Sequence, residues 1–84
     1  MPDETPLLAW EVEVDTYTAI VFATTAPKAR WIAVKAYWEA GYGRGPGTWP
    51  PGVNAWRCER HDRSPLRDRG PKAWTPSYAE DLRP

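Results

Sequence analysis

Cys58 and His61 are the chain's only cysteine and only histidine, and they stand three residues apart in "CERH". Such a pair is the first place to look for nucleophilic catalysis, in which an imidazole takes a thiol proton while a third group orients the imidazole. The residues around them read as a strand passing into a loop, which does not hold two side chains at bonding distance, and no third group is marked. Cys58 is therefore expected as a small core residue, and His61, beside Asp62, as a polar surface residue. A lone cysteine forms no internal disulfide, which fits a reducing cytoplasm. A structural zinc site takes four ligands and the chain offers two of the nitrogen and sulfur type, so no metal is expected. Glu11, Glu13 and Asp15 recur at two-residue steps. That row could hold a divalent ion or imitate phosphates, but a solvated strand face explains it more simply. With no catalytic constellation and no cofactor site expected, the chain reads as a non-enzymatic protein.

Two further constellations concern binding. Residues 41–52, "GYGRGPGTWPPG", hold five glycines and three prolines. A phosphate cradle places its glycines between a strand and a following helix, so that N–H groups converge on the anion. Here Gly41 follows a helical pattern, whose C-terminal end carries partial negative charge, and no Gly-Lys-Ser/Thr element is present. The stretch is expected to be a long connection of the kind that carries binding residues in small domains. Trp49, Tyr42 and Arg44 either anchor a partner there, or Trp49 folds the loop back on the helix. The second constellation is Trp31, Val34 and Trp38 at i, i+3 and i+7, flanked by Arg30 and Lys35. A helix with a second apolar stripe is either covered by another segment or meets a partner. The cover would be the C-terminal segment, bringing Trp74, or Trp49. The partner-binding residues expected are Trp31, Val34, Lys35, Trp38, Arg44 and Trp49, joined by Arg63, Arg67 and Arg69 from the basic region downstream.

The elements that position these residues follow from periodicity. From Trp10 to Phe22 the even positions are Trp, Val, Val, Thr, Thr, Ile and Phe, while the odd ones begin Glu11, Glu13 and Asp15, so a period of two with one buried face is expected. Its length favours a hairpin of strands 8–14 and 17–23, turning at Asp15-Thr16, over one long bent strand. Thr25 as N-cap, Pro27 in the first turn and Gly41 as stop define a helix over about 26–40. Its core face is expected to carry Ala29, Ile32, Ala33, Ala36, Tyr37 and Ala40. "VNAWRCER", 53–60, reads as a third strand, with Trp56 and Cys58 on one side and Val53, Ala55 and Arg57 on the other. Beside the first strand, Arg57 or Arg60 would oppose Glu11 or Glu13. Beyond His61 no period is visible, so 61–84 is expected as an extended arm with a short helical turn starting at Thr75-Pro76. Residues 1–7 read as a tail or an edge segment.

Eighty-four residues make one domain, with an ordered core expected over 8–60. At this size folding buries about 60–65% of the surface exposed by the unfolded chain, so the six tryptophans and four tyrosines carry much of the apolar area. The expected fold class is α+β, with a small antiparallel sheet of about three strands, one main helix packed on it, and an extended Pro/Arg-rich C-terminal arm. Eleven basic and eleven acidic side chains cancel, which removes the long-range attraction that nucleic-acid binding exploits. The charges are segregated all the same: the first fifteen residues are acidic without a Lys or Arg, and 57–72 are rich in Arg. "PLLAW" is too short for the apolar region of a signal peptide, and no run approaches the ~20 apolar residues of a membrane span. A cytoplasmic protein with no membrane association is expected.

The run "YTAIVFATTAPKARWIAVKAYWEAGY", residues 17–42, resembles small uncharacterised proteins of actinobacteriophages and their prophages. The likeness lies in the strand, the Thr/Ser-rich turn, the Lys-Ala-Arg-aromatic helix start and the Gly-Tyr helix exit. It implies an accessory protein of a phage or mobile element that acts by binding a host macromolecule, counter-defence being one form of that role, with a host protein as first expected partner. Two alternatives stand beside it. One is a nucleic-acid-binding module using the basic-aromatic helix face, whose mark would be a steep salt dependence. The other is a homo-oligomer that sequesters a small ligand between subunits.

Overall fold

The computed structural model describes residues 6–43, 45, 47–50 and 52–82. In chain order they form strands β1 (Leu8–Val14) and β2 (Tyr17–Ala23), helix α1 (Ala26–Glu39), strand β3 (Val53–Arg57), two 3-10 turns at Glu59–His61 and Pro65–Arg69, strand β4 (Ala73–Trp74) and helix α2 (Pro76–Asp81). The fold class is α+β. The strands make one antiparallel sheet in the order β3-β1-β2-β4. β2 and β3 therefore point the same way on either side of β1, and α1 joins them across one face.

The hairpin sets everything that follows. Val14 pairs with Tyr17 and Leu8 with Ala23, leaving Asp15 and Thr16 as a two-residue turn. Among the described non-glycine residues only Asp15 takes a positive φ, 55°, a conformation that Asp tolerates better than most side chains. This register matches even positions of β1 with odd positions of β2, and directly opposed residues share a face. The single face expected from Trp10 to Phe22 therefore divides. Val12 and Val14 join Ala19, Val21 and Ala23 beneath α1, whereas Ile20 and Phe22 turn to the other side with Ala9. From Ala19 to Ala23 the strand is buried on both faces.

α1 begins where expected, with the Thr25 hydroxyl accepting from the Lys28 N–H at 3.4 Å and Pro27 in the first turn. It ends in a Schellman motif: the Gly41 N–H donates to the Trp38 carbonyl at 2.9 Å and the Tyr42 N–H to the Tyr37 carbonyl at 3.1 Å. Ala29, Ala33, Val34 and Tyr37 are buried; Ile32 and Ala36 are half-buried and Ala40 is exposed. The buried stripe is wider than the expected one and rotated toward Val34, because α1 touches all four strands. Tyr37 continues into a cluster with Tyr17 and Tyr42, their centroids 5.5–6.0 Å apart, and burial followed by the Tyr42 hydroxyl pushes the Tyr17 phenol up.

The C-terminal segment is not an extended arm. Leu66 and Ala79 enter a second core with Ala9, Ile20, Phe22 and Cys58 on the face opposite α1, and Ala73–Trp74 adds a fourth strand. Apolar side chains at 20 and 22, turned outward by the hairpin register, supply the surface that orders it. Cys58 is a core residue, its thiol pushed up by burial. His61, expected at the surface, is wholly buried, with Nε2 3.2 Å from the Glu80 carboxylate. Arg57 lies opposite Trp10, with Trp56 opposite Glu11 and Asn54 opposite Glu13, so the expected Arg–Glu cross-strand pair is absent among the described residues. Arg57 instead grips Asp62 through both oxygens at 2.7 and 2.9 Å and donates to the Ala9 carbonyl at 2.7 Å. Asp62 closes the ring by accepting from the Ala9 N–H at 2.8 Å. Arg60 lies 3.5 Å from Glu80 on α2.

Two predictions follow from these contacts. Gly41 and Gly43 both have positive φ, 87° and 66°, but a Cβ at Gly43 would stand 2.7 Å from Tyr37 Cε2 whereas none meets anything within 4 Å at Gly41. Gly41→Ala should cost about 1 kcal/mol from backbone strain alone, and Gly43→Ala measurably more, about 2–3 kcal/mol, in urea melts. Equal losses would show that Tyr37 is free to move aside. Arg57 holds the Asp62 carboxyl below its ordinary value against the opposing effect of burial, with help from the Ala9 N–H. Folding thus favours the ionised form. Its contribution is full above about pH 4, declines as pH falls from there, and is lost below the depressed native value. Asp62→Ala should cost about 1–3 kcal/mol at pH 7, and the gap to wild type should narrow as melts are repeated from pH 5 down to pH 2.

Candidate partner-binding site

α1 presents Trp31 and Lys35 on the side away from the sheet and Trp38 at its flank, and Thr48 and Trp49 come back to meet them. The Trp49 ring stacks on Trp31 at 6.2 Å between centroids and 6° between planes. Trp38 meets the edge of Trp31 at 5.8 Å and 82°, and its indole N–H donates to the Thr48 carbonyl at 3.2 Å. The Lys35 ammonium lies 5.9 Å from the Trp31 ring centre, a cation–π contact of about 0.5–1 kcal/mol at an exposed site.

Two hollows open beside these rings. One of about 280 Å³ is lined by Trp31, Lys35, Trp38 and Glu39. The other, of about 320 Å³, lies between α1 and the β4 edge, lined by Ile32, Lys35, Ala36, Glu39, Pro71, Lys72 and Ala73. Lys35 and Glu39 border both: they form the ridge of α1 between its Trp31/Trp38 side and its Ile32/Ala36 side, and they bring both signs of charge to each hollow.

The expected residues divide. Trp31, Lys35, Trp38 and Trp49 come together, Trp31 and Trp49 remaining 47% and 53% exposed and Trp38 half-buried against the core. Val34, assigned to this stripe by spacing, is wholly buried in the core under α1; a step of three residues turns it 60° away from Trp31, toward the sheet. Arg44 lies outside the described residues. Arg63, Arg67 and Arg69 are exposed, but they flank Leu66, whose core is on the other face of the sheet, so they do not join the tryptophans. Trp74, considered as a cover for the stripe, packs on that far face beside Tyr78, 5.5 Å between centroids. It is Trp49 that reaches Trp31. Glu39 and the Pro71–Ala73 segment were missed. The i, i+4 relation of Lys35 and Glu39 was legible on a helical wheel, whereas Pro71–Ala73 arrives only through the sheet.

Among the described residues no three His, Cys, Asp or Glu side chains are grouped to hold a metal ion, and no helix is long and apolar enough to cross a membrane. The Glu11–Glu13 face carries Asn54 and Trp56 as its cross-strand neighbours. Comparison with protein-family models, with curated proteins and with solved structures finds no match in any of the three.

The division between core and surface is measurable. Val34→Ala should cost about 2 kcal/mol from lost burial and the cavity left behind, while Trp49→Ala, removing an exposed stack, should cost no more than about 1 kcal/mol. Chemical melts of the two variants read the difference, and the reverse order would place Trp49 in the core.

Proposed function

We propose that this chain is a small non-enzymatic binding protein that captures a partner macromolecule, most simply a host protein, on the face built by Trp31, Trp38, Trp49 and Lys35. The observation that carries the reading is the stacking of Trp49 on Trp31. A loop rich in glycine and proline returns to the helix, yet leaves two large rings half in water. Rigid aromatic surface of this kind, beside a lysine and the two hollows, provides contact area with little side-chain entropy left to lose, the property that enriches tryptophan at binding hot spots. The resemblance of residues 17–42 supports a role as an accessory protein of a phage or mobile element.

A protein partner is favoured over nucleic acid by the distribution of charge. The exposed arginines of the 3-10 turns lie behind the sheet from the tryptophans, and the net charge is zero, so among the described residues the arginine-rich segment does not extend Lys28 and Lys35, the lysines beside the rings, into the long basic track that single-strand binding uses. Retention of a partner from nuclease-treated bacterial lysate should fall at least about tenfold with Trp31→Ala or Trp49→Ala and stay unchanged with Arg67→Ala plus Arg69→Ala. Loss of capture with the arginine pair, or on nuclease treatment of the wild type, would contradict the proposal.

A further inference from the structure

The sheet ends in two edges that are built differently. β4 is two residues long and is bracketed by Pro71 and Pro76, devices that blunt an edge against pairing. β3 is five residues, Val53–Arg57, at the other end of the order, and contains no proline, lysine or glycine. The Cys58 N–H donates to the Ala9 carbonyl at 3.0 Å. Because the N–H and C=O of one residue in an antiparallel strand point the same way and alternate along the chain, Asn54 and Trp56 address β1. Val53, Ala55 and Arg57 therefore turn their N–H and C=O groups outward, along an edge that no described strand pairs with. Beside them Trp56 is 50% exposed, on the sheet face away from α1.

We infer that the β3 edge is a self-association surface, and that its occupant is β3 of a second copy of this chain, paired antiparallel about Ala55. The register is fixed by which groups face outward. Ala55 meets Ala55 of the partner subunit, and Val53 meets Arg57 of the partner subunit, each pair exchanging both backbone hydrogen bonds. Charge is compatible with this self-pairing: the strand's one ionised side chain falls opposite a valine, and its guanidinium is already paired with Asp62 at 2.7 Å within its own subunit. Trp56 falls opposite Asn54 of the partner subunit and diagonal to Trp56 of the partner subunit, within reach of an aromatic ring. The two-fold axis stands perpendicular to the sheet, so the sheets merge into one of eight strands with both α1 helices on the same side.

The backbone geometry provides its own test. Ala55 directs its N–H outward, so Ala55→Pro removes no hydrogen bond to β1, is tolerated as proline is on an edge strand, and places its ring where the second copy must sit. Light scattering from about 10 μM to 1 mM should give a wild-type mass rising to twice 9.6 kDa, and single-chain mass throughout for Ala55→Pro with an unchanged circular dichroism spectrum. If Ala55→Pro fails to fold, Trp56→Lys decides, since it alters an exposed side chain, faces Glu11 of its own sheet with opposite charge and sets two ammonium groups near the axis; it too should be single-chain throughout. A wild type that stays at single-chain mass to 1 mM, or a dimer that survives in the folded variant, overturns the inference.

Discussion

The fold depends on the register of one hairpin. A two-residue turn between β1 and β2 forces even positions of the first strand against odd positions of the second, and this single offset gives β2 two buried faces. A strand buried on both sides needs cover on both sides. α1 supplies one layer and the C-terminal segment the other, and the two cores meet at Ala19–Ala23. A shift of one residue would send Val12 and Val14 to the wrong face. The alternation of Val12 and Val14 with Glu11 and Glu13 resists such a shift.

Much of this was legible locally. The hairpin bounds, the Asp15-Thr16 turn, the Thr25 and Thr75 caps and the glycine stop at residue 41 rest on short-range chemistry, and each is present. The C-terminal layer was not legible, because its order comes from contacts distant in sequence. Leu66 stands alone between Pro65 and Arg67, Ala79 sits in a short helical turn beyond them, and no period links the two. Their burial depends on Ile20 and Phe22, whose face could not be assigned until the strand was known to fold back at Asp15. His61 was misplaced for the same reason. Its immediate neighbours Arg60 and Asp62 are charged, and α2 brings Glu80 to it from nineteen residues away.

The site was legible in part. Spacing found Trp31, Lys35 and Trp38, and composition flagged Trp49, but spacing also recruited Val34, because a three-residue step on a helix lies between faces and only packing decides which one it joins. Grouping the arginines with the tryptophans failed on topology. A segment expected as an extended arm, one that could cover the tryptophan stripe, lies on the far side of the sheet and carries its charges there. What remains on the α1 face is an aromatic platform flanked by Lys28 and Lys35, separated by the sheet from the arginine-rich segment.

The most direct test of the account is solvent access to each tryptophan. With 5-fluorotryptophan at all six positions and single Trp→Phe variants for assignment, a soluble paramagnetic agent should broaden the fluorine resonances of Trp31, Trp49 and, in the dilute protein, Trp56 strongly, and those of Trp10, Trp38 and Trp74 less. That order would place the C-terminal layer behind the sheet and leave the platform open. Protected Trp31 and Trp49 with an exposed Trp74 would contradict it, showing that the C-terminal segment does not cover the far face and that the proposed binding surface is interior.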